Sequence, residues 1–335
     1  MQDREPPFDG RNRKAIAAQG YGDIDMTIPR LYASQRTPDA LRGGVVALGN
    51  FDGFHLGHQA VAGEAIKQAK AAGKPAIIAT FDPHPVRFFA PESPWFRLTT
   101  LDQRQRLFAE AGADAMLVFD FDAELAATSA EDFIVTLLME RLGISAVVTG
   151  EDFTFGHKRG GNIDVMRDLG AAHGLTSTAM GPVVDDGGVI SSSRIRNALK
   201  DGDCATATAL LTRPFTVEGI VQHGDKNGRL LGFPTANIDM GHYLRPRYGI
   251  YAVKGRLPDG RVLNGAANLG IRPTFDPPKE LLEPHFFDFA EDLYGQNIEI
   301  EFHAFIRGEA KFDSLDALMA QMAQDCDEAR RILGA

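Results

Sequence analysis

The sequence predicts an α/β domain built on a parallel sheet, followed by an antiparallel β-barrel that ends in a helix. Three observations predict it. Val45-Val46-Ala47-Leu48 is an unbroken apolar run, as suits a strand covered on both faces, and it breaks into a glycine-punctuated loop before the amphipathic run Gln59 to Lys70. Short apolar runs of this kind alternate with helical stretches up to about residue 200. Beyond Pro214 the period changes to two: Ile298, Ile300, Phe302 and Ala304 alternate with Glu299, Glu301 and His303, and short strands follow one another without helices between them.

Composition narrows the function. A chain of 335 residues is long for one core, so two domains are expected, and 44% hydrophobic with 24% charged residues excludes disorder of the whole. No apolar run is long enough to span a bilayer and the first residues hold no signal-peptide core, so a cytoplasmic protein without a membrane partner is expected. Cys204 and Cys326 are too few and too far apart for a disulfide framework. The net charge of −10 argues against nucleic-acid binding, so an anionic ligand must be met by local cations, helix ends or Mg²⁺. Oligomeric state is left open.

In chain order, residues 1–25 are polar and aperiodic and read as a disordered lead. After the first strand, Gly49, Gly53 and Gly57 allow sharp turns and close approach to a ligand, and the helix that follows offers the unpaired N–H groups to which phosphates bind. His55 and His58 stand at that mouth. They suit a phosphate site, two ligands of a zinc ion, or plain hydrogen-bonded loop residues; no Cys or third His nearby supports zinc. Pro75 to Phe81 is a second buried strand, and Asp82 and His84 follow at its C-terminal end, where open α/β sheets bind ligands. Leu101 to Ala111 is helical, Ala115 to Phe119 a strand, and Ser129 caps a helix ending near Gly143. Ser145 to Thr149 is the next strand and runs into Gly150-Glu151-Asp152-Phe153-Thr154-Phe155-Gly156-His157-Lys158-Arg159, where aromatics stand beside cations; the phenylalanines equally suit a core.

Ile190-Ser191-Ser192-Ser193-Arg194-Ile195-Arg196 opens a helix. Serines are good N-caps, and hydroxyls with two guanidiniums at a helix start suit a polyphosphate. Asp201 to Leu211 forms a short helix and linker, placing a domain boundary near residue 210. Phe215–Val221, Gly249–Gly255 and Val262–Leu269 read as barrel strands, and Ser314 caps a last helix to about Ile332. Within the barrel, Gly228-Arg229-Leu230-Leu231-Gly232-Phe233-Pro234-Thr235-Ala236-Asn237 places a hydroxyl and an amide oxygen on one face if extended, hard ligands of the kind Mg²⁺ takes; taken alone, P-T-A-N is more often a turn. A lone carboxylate such as Glu283 is usually a solvated group, and Pro284 after it places that strand at an edge or opening.

The string from Gly49 to His58 resembles the signature of nucleotidyltransferases that bring ATP to a phosphorylated acceptor. With T-F-D-P-H-P (80–85), G-E-D-F-x-F-G (150–156), the serine-arginine string, G-F-P-T-A-N (232–237) and Asn268 to Phe275, the chain from about Met26 onward resembles the prokaryotic bifunctional riboflavin kinase/FAD synthetase family. Ser193 stands where that family has Thr, which keeps the hydroxyl. The resemblance implies a doubly wound, Rossmann-like nucleotidyltransferase domain (26–210) that makes FAD from FMN and ATP, and a riboflavin kinase barrel (211–335) that makes FMN from riboflavin and ATP. It implies that His55, His58 and Arg196 act in AMP transfer, with Gly49, Asn50, Phe51, Asp52, Gly53, Asp82, His84, Asp152, Phe155, Lys158, Arg159, Ser192, Ser193 and Arg194 around ATP and flavin. In the kinase it implies Glu283 as base, Thr235 and Asn237 on Mg²⁺, and Gly228, Arg229, Gly232, Phe233 and Asn268 around the substrates. Two rivals are an adenylyltransferase for another acceptor, against which the barrel argues, and a flavin-binding sensor without turnover, against which Thr235, Asn237 and Glu283 together argue.

Overall fold

A computed structural model describes residues 28–223, 233–272 and 279–334. The lead 1–25, the motif residues Gly228, Arg229 and Gly232, and the string from Pro273 to Phe275 lie outside the described residues. The described chain forms two compact units. One holds the residues up to Asn50, Gln59–Pro91 and Gln105–Gly181, the other Phe51–His58, Glu92–Arg104 and the residues from Pro182 on.

The first unit is a six-stranded, wholly parallel sheet. Its strands are β1 (Arg30–Tyr32), β2 (Val45–Leu48), β3 (Ala76–Asp82), β4 (Ala115–Asp120), β5 (Ala146–Gly150) and β6 (Thr176–Met180), in the order β1-β4-β3-β2-β5-β6. Every residue of β2 is buried, as its apolar run requires. Because β3 and β4 lie to one side of β2 and β5 and β6 to the other, the direction of winding reverses beside β2, and the strand ends there open the crevice that such sheets offer to ligands. Helices α1 (Leu56–Ala72), α2 (Pro85–Phe89), α3 (Leu101–Ala111), α4 (Ala123–Ala127) and α5 (Ala130–Asp132) follow the strands in turn, and α5 runs on as a π-type turn over Phe133–Arg141. Ser129 caps α5 by accepting from Asp132 N.

Two elements escape the apolar pattern. Helix α6 (Ile163–His173), capped by Asn162, and β6, a partly exposed edge strand of sequence Thr-Ser-Thr-Ala-Met, lack the unbroken apolar run that marks the other strands. Helix α1 starts at Leu56 rather than at Gln59. The His55 imidazole accepts from His58 N at 3.4 Å and so serves as the cap that the serines provide elsewhere.

The second unit carries the antiparallel sheet β10-β13-β12-β11-β14-β9, made of β9 (Phe215–Ile220), β10 (Ile238–Asp239), β11 (Gly249–Arg256), β12 (Val262–Arg272), β13 (Lys279–Phe286) and β14 (Asn297–Arg307). A bridge between Gln222 and Asn237, with Gln222 N donating to Asn237 O at 2.8 Å, draws the two edges together towards a barrel. Phe215, Tyr251 and Phe302 fill its core, which also takes Ile195 and Leu199 of α7 (Ser192–Asp201) and Leu210 and Leu211 of α8 (Cys204–Leu211). A small hairpin, β7 (Val184–Asp185) with β8 (Gly188–Val189), precedes α7. Ser314 caps α9 (Leu315–Leu333), and the buried Asp325 of that helix takes both arms of the Arg307 guanidinium at 2.6 and 2.8 Å. The two cysteines are free thiols.

Candidate active sites

In the first unit, the sites expected from sequence all follow C-terminal strand ends. Buried Thr149 holds Leu48 O at 2.9 Å and buried Thr80 holds Asn50 O at 2.6 Å, which fixes the exit from β2 through Gly49 and Asn50. Asp82 ends β3, and His84 caps α2 through Nδ1, which accepts from Val86 N at 3.2 Å. After β5, Asp152 is exposed, whereas Phe155 is buried in the sheet's core, 5.2 Å from the Phe133 ring. Gly161 lacks the Cβ that would lie 2.6 Å from the Phe155 ring. Lys158 and Arg159 are exposed and both adopt positive φ, 54° and 59°.

The second unit contains a cluster around Asp52. Phe51, Gly53 and Phe54 take positive φ of 47°, 88° and 44°, a costly geometry for the two phenylalanines that persists because the loop is tied on every side. Gly53 N donates to Thr99 Oγ1 at 2.9 Å, Arg213 reaches Gly53 O at 2.7 Å, and Ser192 Oγ donates to Asp52 O at 2.8 Å. The Asp52 carboxylate, 3% exposed, accepts from Leu98 N (2.9 and 3.1 Å), Thr99 N (3.0 Å) and Arg196 Nη2 (2.6 Å). Burial raises its pKa, but the charges of Arg196 and Arg104 and the bonds from Arg196 and Thr99 outweigh it, so the group stays below the usual carboxylate range. Arg196 Nε donates to Phe96 O at 2.8 Å, and its Nη1 has no hydrogen bond among the described residues. Arg194 pairs with Asp185 of the hairpin, and Ser193 is exposed.

His55 and His58 stack at 3.6 Å between ring centres. Burial, aided by Arg196 and Arg213 and opposed by Asp52, lowers His55 to about 4; burial, His55, Arg196 and Arg104 hold His58 well below the ordinary value. Both rings are therefore neutral at pH 7. Because His55 Nδ1 accepts from His58 N, the proton of the neutral His55 ring sits on Nε2, which is left to donate. His58 Nδ1 is buried and has no hydrogen bond among the described residues. A Cβ at Gly57 would lie 3.1 Å from His55 Cε1, closer than an ordinary contact, so glycine suits the position.

The barrel's candidate site gathers Thr235, Asn237, Asn268 and Glu283. Glu283 faces Asn268 across the β12–β13 ladder, and Asn268 Nδ2 donates to Glu283 Oε2 at 3.3 Å. Both Asn237 and Glu283 are buried. Strand β10 covers β13 only at Leu281 and Leu282, so Pro284 falls beyond that pairing and its carbonyl accepts from Ala236 N at 2.9 Å. Among the described residues neither the Thr235 hydroxyl nor the Asn237 amide makes a side-chain hydrogen bond. Phe233 lies edge-on to His285, with ring centres 5.4 Å apart.

Sequence reading passed over Thr99, Thr100 and Gln103. Thr100-Leu101-Asp102-Gln103 carries the local signature of a capping box, and the reciprocal bonds are present: Thr100 N to Gln103 Oε1 at 2.8 Å, Gln103 N to Thr100 Oγ1 at 3.1 Å. Among the described residues no helix is long and apolar enough to cross a membrane, and no group of three or more His, Cys, Asp or Glu is placed to hold a metal ion.

Comparison with known proteins agrees on both halves of the chain. A family model for FAD synthetase matches residues 37–194 and one for riboflavin kinase matches residues 211–333. The bifunctional riboflavin kinase/FMN adenylyltransferase of Escherichia coli (strain K12) is 38% identical over 87% of this chain and 93% of its own length. Its counterpart in Bacillus subtilis (strain 168) is 38% identical over 86% of this chain and 92% of its own. A crystal structure described as a macrolide-efflux protein from Streptococcus pneumoniae aligns with a TM-score of 0.81 at 29% identity, covering 91% of this chain and 99% of that one.

Proposed function

The chain belongs to the bifunctional riboflavin kinase/FMN adenylyltransferase family, and from that premise we propose which of its residues serve each reaction. Its activities are ATP-dependent phosphorylation of riboflavin to FMN and transfer of AMP from ATP to FMN, giving FAD. We divide the chemistry near residue 210, with AMP transfer before it and phosphorylation after it. Use of ATP suits the cytoplasm. Macrolide efflux is not carried over from the Streptococcus pneumoniae structure, because both family models describe flavin enzymes.

In AMP transfer the phosphate of FMN attacks the α-phosphorus of ATP, and the bond to pyrophosphate breaks. The nucleophile is already an anion, so no strong base is needed; the barrier lies in bringing anions together in line. The carrying observation is the ion pair of buried Asp52 with half-buried Arg196, beside two neutral, stacked histidines. Asp52 fixes the guanidinium so that Nη1 meets a phosphate oxygen without searching rotamers, and His55 Nε2–H donates to another. His58 backs the His55 ring. Ser192, Ser193, Arg194 and the glycines of the loop line the phosphates; Asp82, His84, Asp152, Lys158 and Arg159 are the further candidates for ATP and flavin contacts, whereas Phe155 packs in the sheet's core.

In the kinase reaction Glu283, oriented by Asn268, accepts the proton of the ribityl hydroxyl as that oxygen attacks the γ-phosphorus and the bond to the departing ADP breaks. Mg²⁺ fits the unpartnered Thr235 hydroxyl and Asn237 amide, which are hard oxygen donors. When bound it neutralises charge on the ATP phosphates. Phe233 borders the flavin, with Gly228, Arg229 and Gly232 at the ATP phosphates. Incubating the full-length protein with riboflavin, ATP and Mg²⁺ and separating flavins by chromatography tests the whole reading. FMN should appear first and FAD after it, and withdrawing Mg²⁺ should stop FMN formation. FMN formed at an undiminished rate in a chelator would overturn the metal assignment.

A further inference from the structure

We propose that Gln103 and Tyr243 are positioning residues for AMP transfer, so that a hydroxyl of the kinase barrel helps set the aim of Arg196. The inference rests on assigning AMP transfer to the Asp52–Arg196 cluster. Its ground is a run of hydrogen bonds, joined through the backbone of residues 96–103, within one compact unit.

The chain starts in the barrel. Tyr243, 4% exposed, accepts from Glu218 N of β9 at 3.2 Å and donates to Gln103 Oε1 at 2.9 Å. Gln103, 6% exposed, donates through Nε2 to Thr216 O of the same strand at 3.0 Å. Its Oε1 also takes Thr100 N, which closes the capping box and fixes the turn before α3. The preceding residues, Leu98 and Thr99, direct their backbone N–H groups at Asp52, and Phe96 O holds Arg196 Nε. Thus residues 96–103 touch β9 and Tyr243 on one side and both members of the ion pair on the other. Arg97 N to His242 O (3.3 Å), Leu244 N to Arg97 O (2.8 Å) and the Trp95–His242 stack (4.1 Å) fasten the same run.

Holding the segment in place does not require this polar chain. Leu98 is 2% exposed within the unit's main core, which already anchors the run by apolar packing. Hydrogen bonds add what packing lacks, a fixed rotation of each peptide plane. The rotation of the Leu98 and Thr99 planes decides where Asp52 sits, and Asp52 decides where the free Nη1 of Arg196 points. Small misplacements of such a group cost rate rather than stability.

The test uses the full-length protein, with both activities measured on one preparation. Tyr243→Phe removes the hydroxyl and keeps the ring; Gln103→Met removes both polar ends at similar volume. Each should lower kcat for FMN adenylylation by about tenfold to a hundredfold. Riboflavin phosphorylation and the emission of Trp95, the chain's only tryptophan, should stay at wild-type values, while Tm falls only modestly for the hydrogen bonds removed. Equal loss of both activities with a fall in Tm would mean a merely structural clamp, and unchanged adenylylation would mean no role; either overturns the proposal. Arg196→Lys is the companion. If it retains full adenylylation, the cluster is not the AMP-transfer site, whereas loss there without loss in Tyr243→Phe refutes the positioning role alone.

Discussion

The Asp52–Arg196 cluster and the Thr235–Asn237–Glu283 cluster, to which we assign AMP transfer and riboflavin phosphorylation, are built on opposite plans. Around Asp52 nearly every polar group is already paired: the carboxylate accepts backbone and guanidinium bonds, and the loop is held by Thr99, Ser192 and Arg213. In the barrel, Thr235 and Asn237 have no side-chain partners among the described residues, and Asn268 Nδ2 meets Glu283 at 3.3 Å. The difference follows the chemistry. AMP transfer between two preformed anions needs a rigid frame of donors, whereas the proposed Mg²⁺ site of the kinase needs oxygen donors not already engaged.

The largest expected effect probes the barrel. Glu283→Gln keeps the amide contact and the volume but cannot accept a proton, so kcat for riboflavin phosphorylation should fall by ~10²–10⁴-fold while FMN adenylylation is unchanged. Near-normal phosphorylation would remove Glu283 from the role of base. Next comes the prepaired cluster. Arg196→Ala leaves Asp52 buried without its cation, so urea melts should show a loss of about 3–5 kcal/mol, and FMN adenylylation should collapse. A loss below about 1 kcal/mol, typical of exposed pairs, would show that the cluster is not rigid in this sense.

The histidines add a pH dependence with a definite sign. His55 has its pKa near 6.5 unfolded and about 4 folded, so between these values the unfolded chain binds more protons. Its contribution to stability is complete above about pH 6.5 and is lost as the pH falls towards 4, by at most about 3 kcal/mol. His55→Gln should therefore flatten the slope of stability against pH in that window, and an unchanged slope would count against a buried neutral ring. The smallest effect belongs to Asn237→Ala. Loss of one oxygen donor should raise the Mg²⁺ concentration needed for half-maximal phosphorylation by about tenfold, with no change in adenylylation. An unaltered Mg²⁺ requirement would separate Asn237 from the metal.

Much of this was legible in residue order. The unbroken apolar run of β2 and the alternation in β14 specify buried and half-exposed strands, and Ser129, Ser191 and Ser314 mark helix starts, because periodicity and caps are properties of a few neighbouring residues. Strand β6 was not legible, since an exposed edge strand need not be apolar, nor was the start of α1, where an imidazole does the work of a serine. The capping box at Thr100 was open to reading, yet nothing local says that its glutamine continues to Thr216, 113 residues on.

The sequence by itself determined most of the strand and helix plan, the two motif-bearing halves and the residue types available for phosphate and metal chemistry. Only the tertiary structure decided their electrical state. It placed Arg196 against Asp52, 144 residues away, enclosed His55 and the Nδ1 of His58 so that both rings resist protonation, and left Asn237 without a side-chain partner among the described residues. Helix and strand preferences act over a turn or two of chain. Charge, protonation and unmet hydrogen bonds depend on what distant segments bring to the same few ångströms and on how much water they exclude.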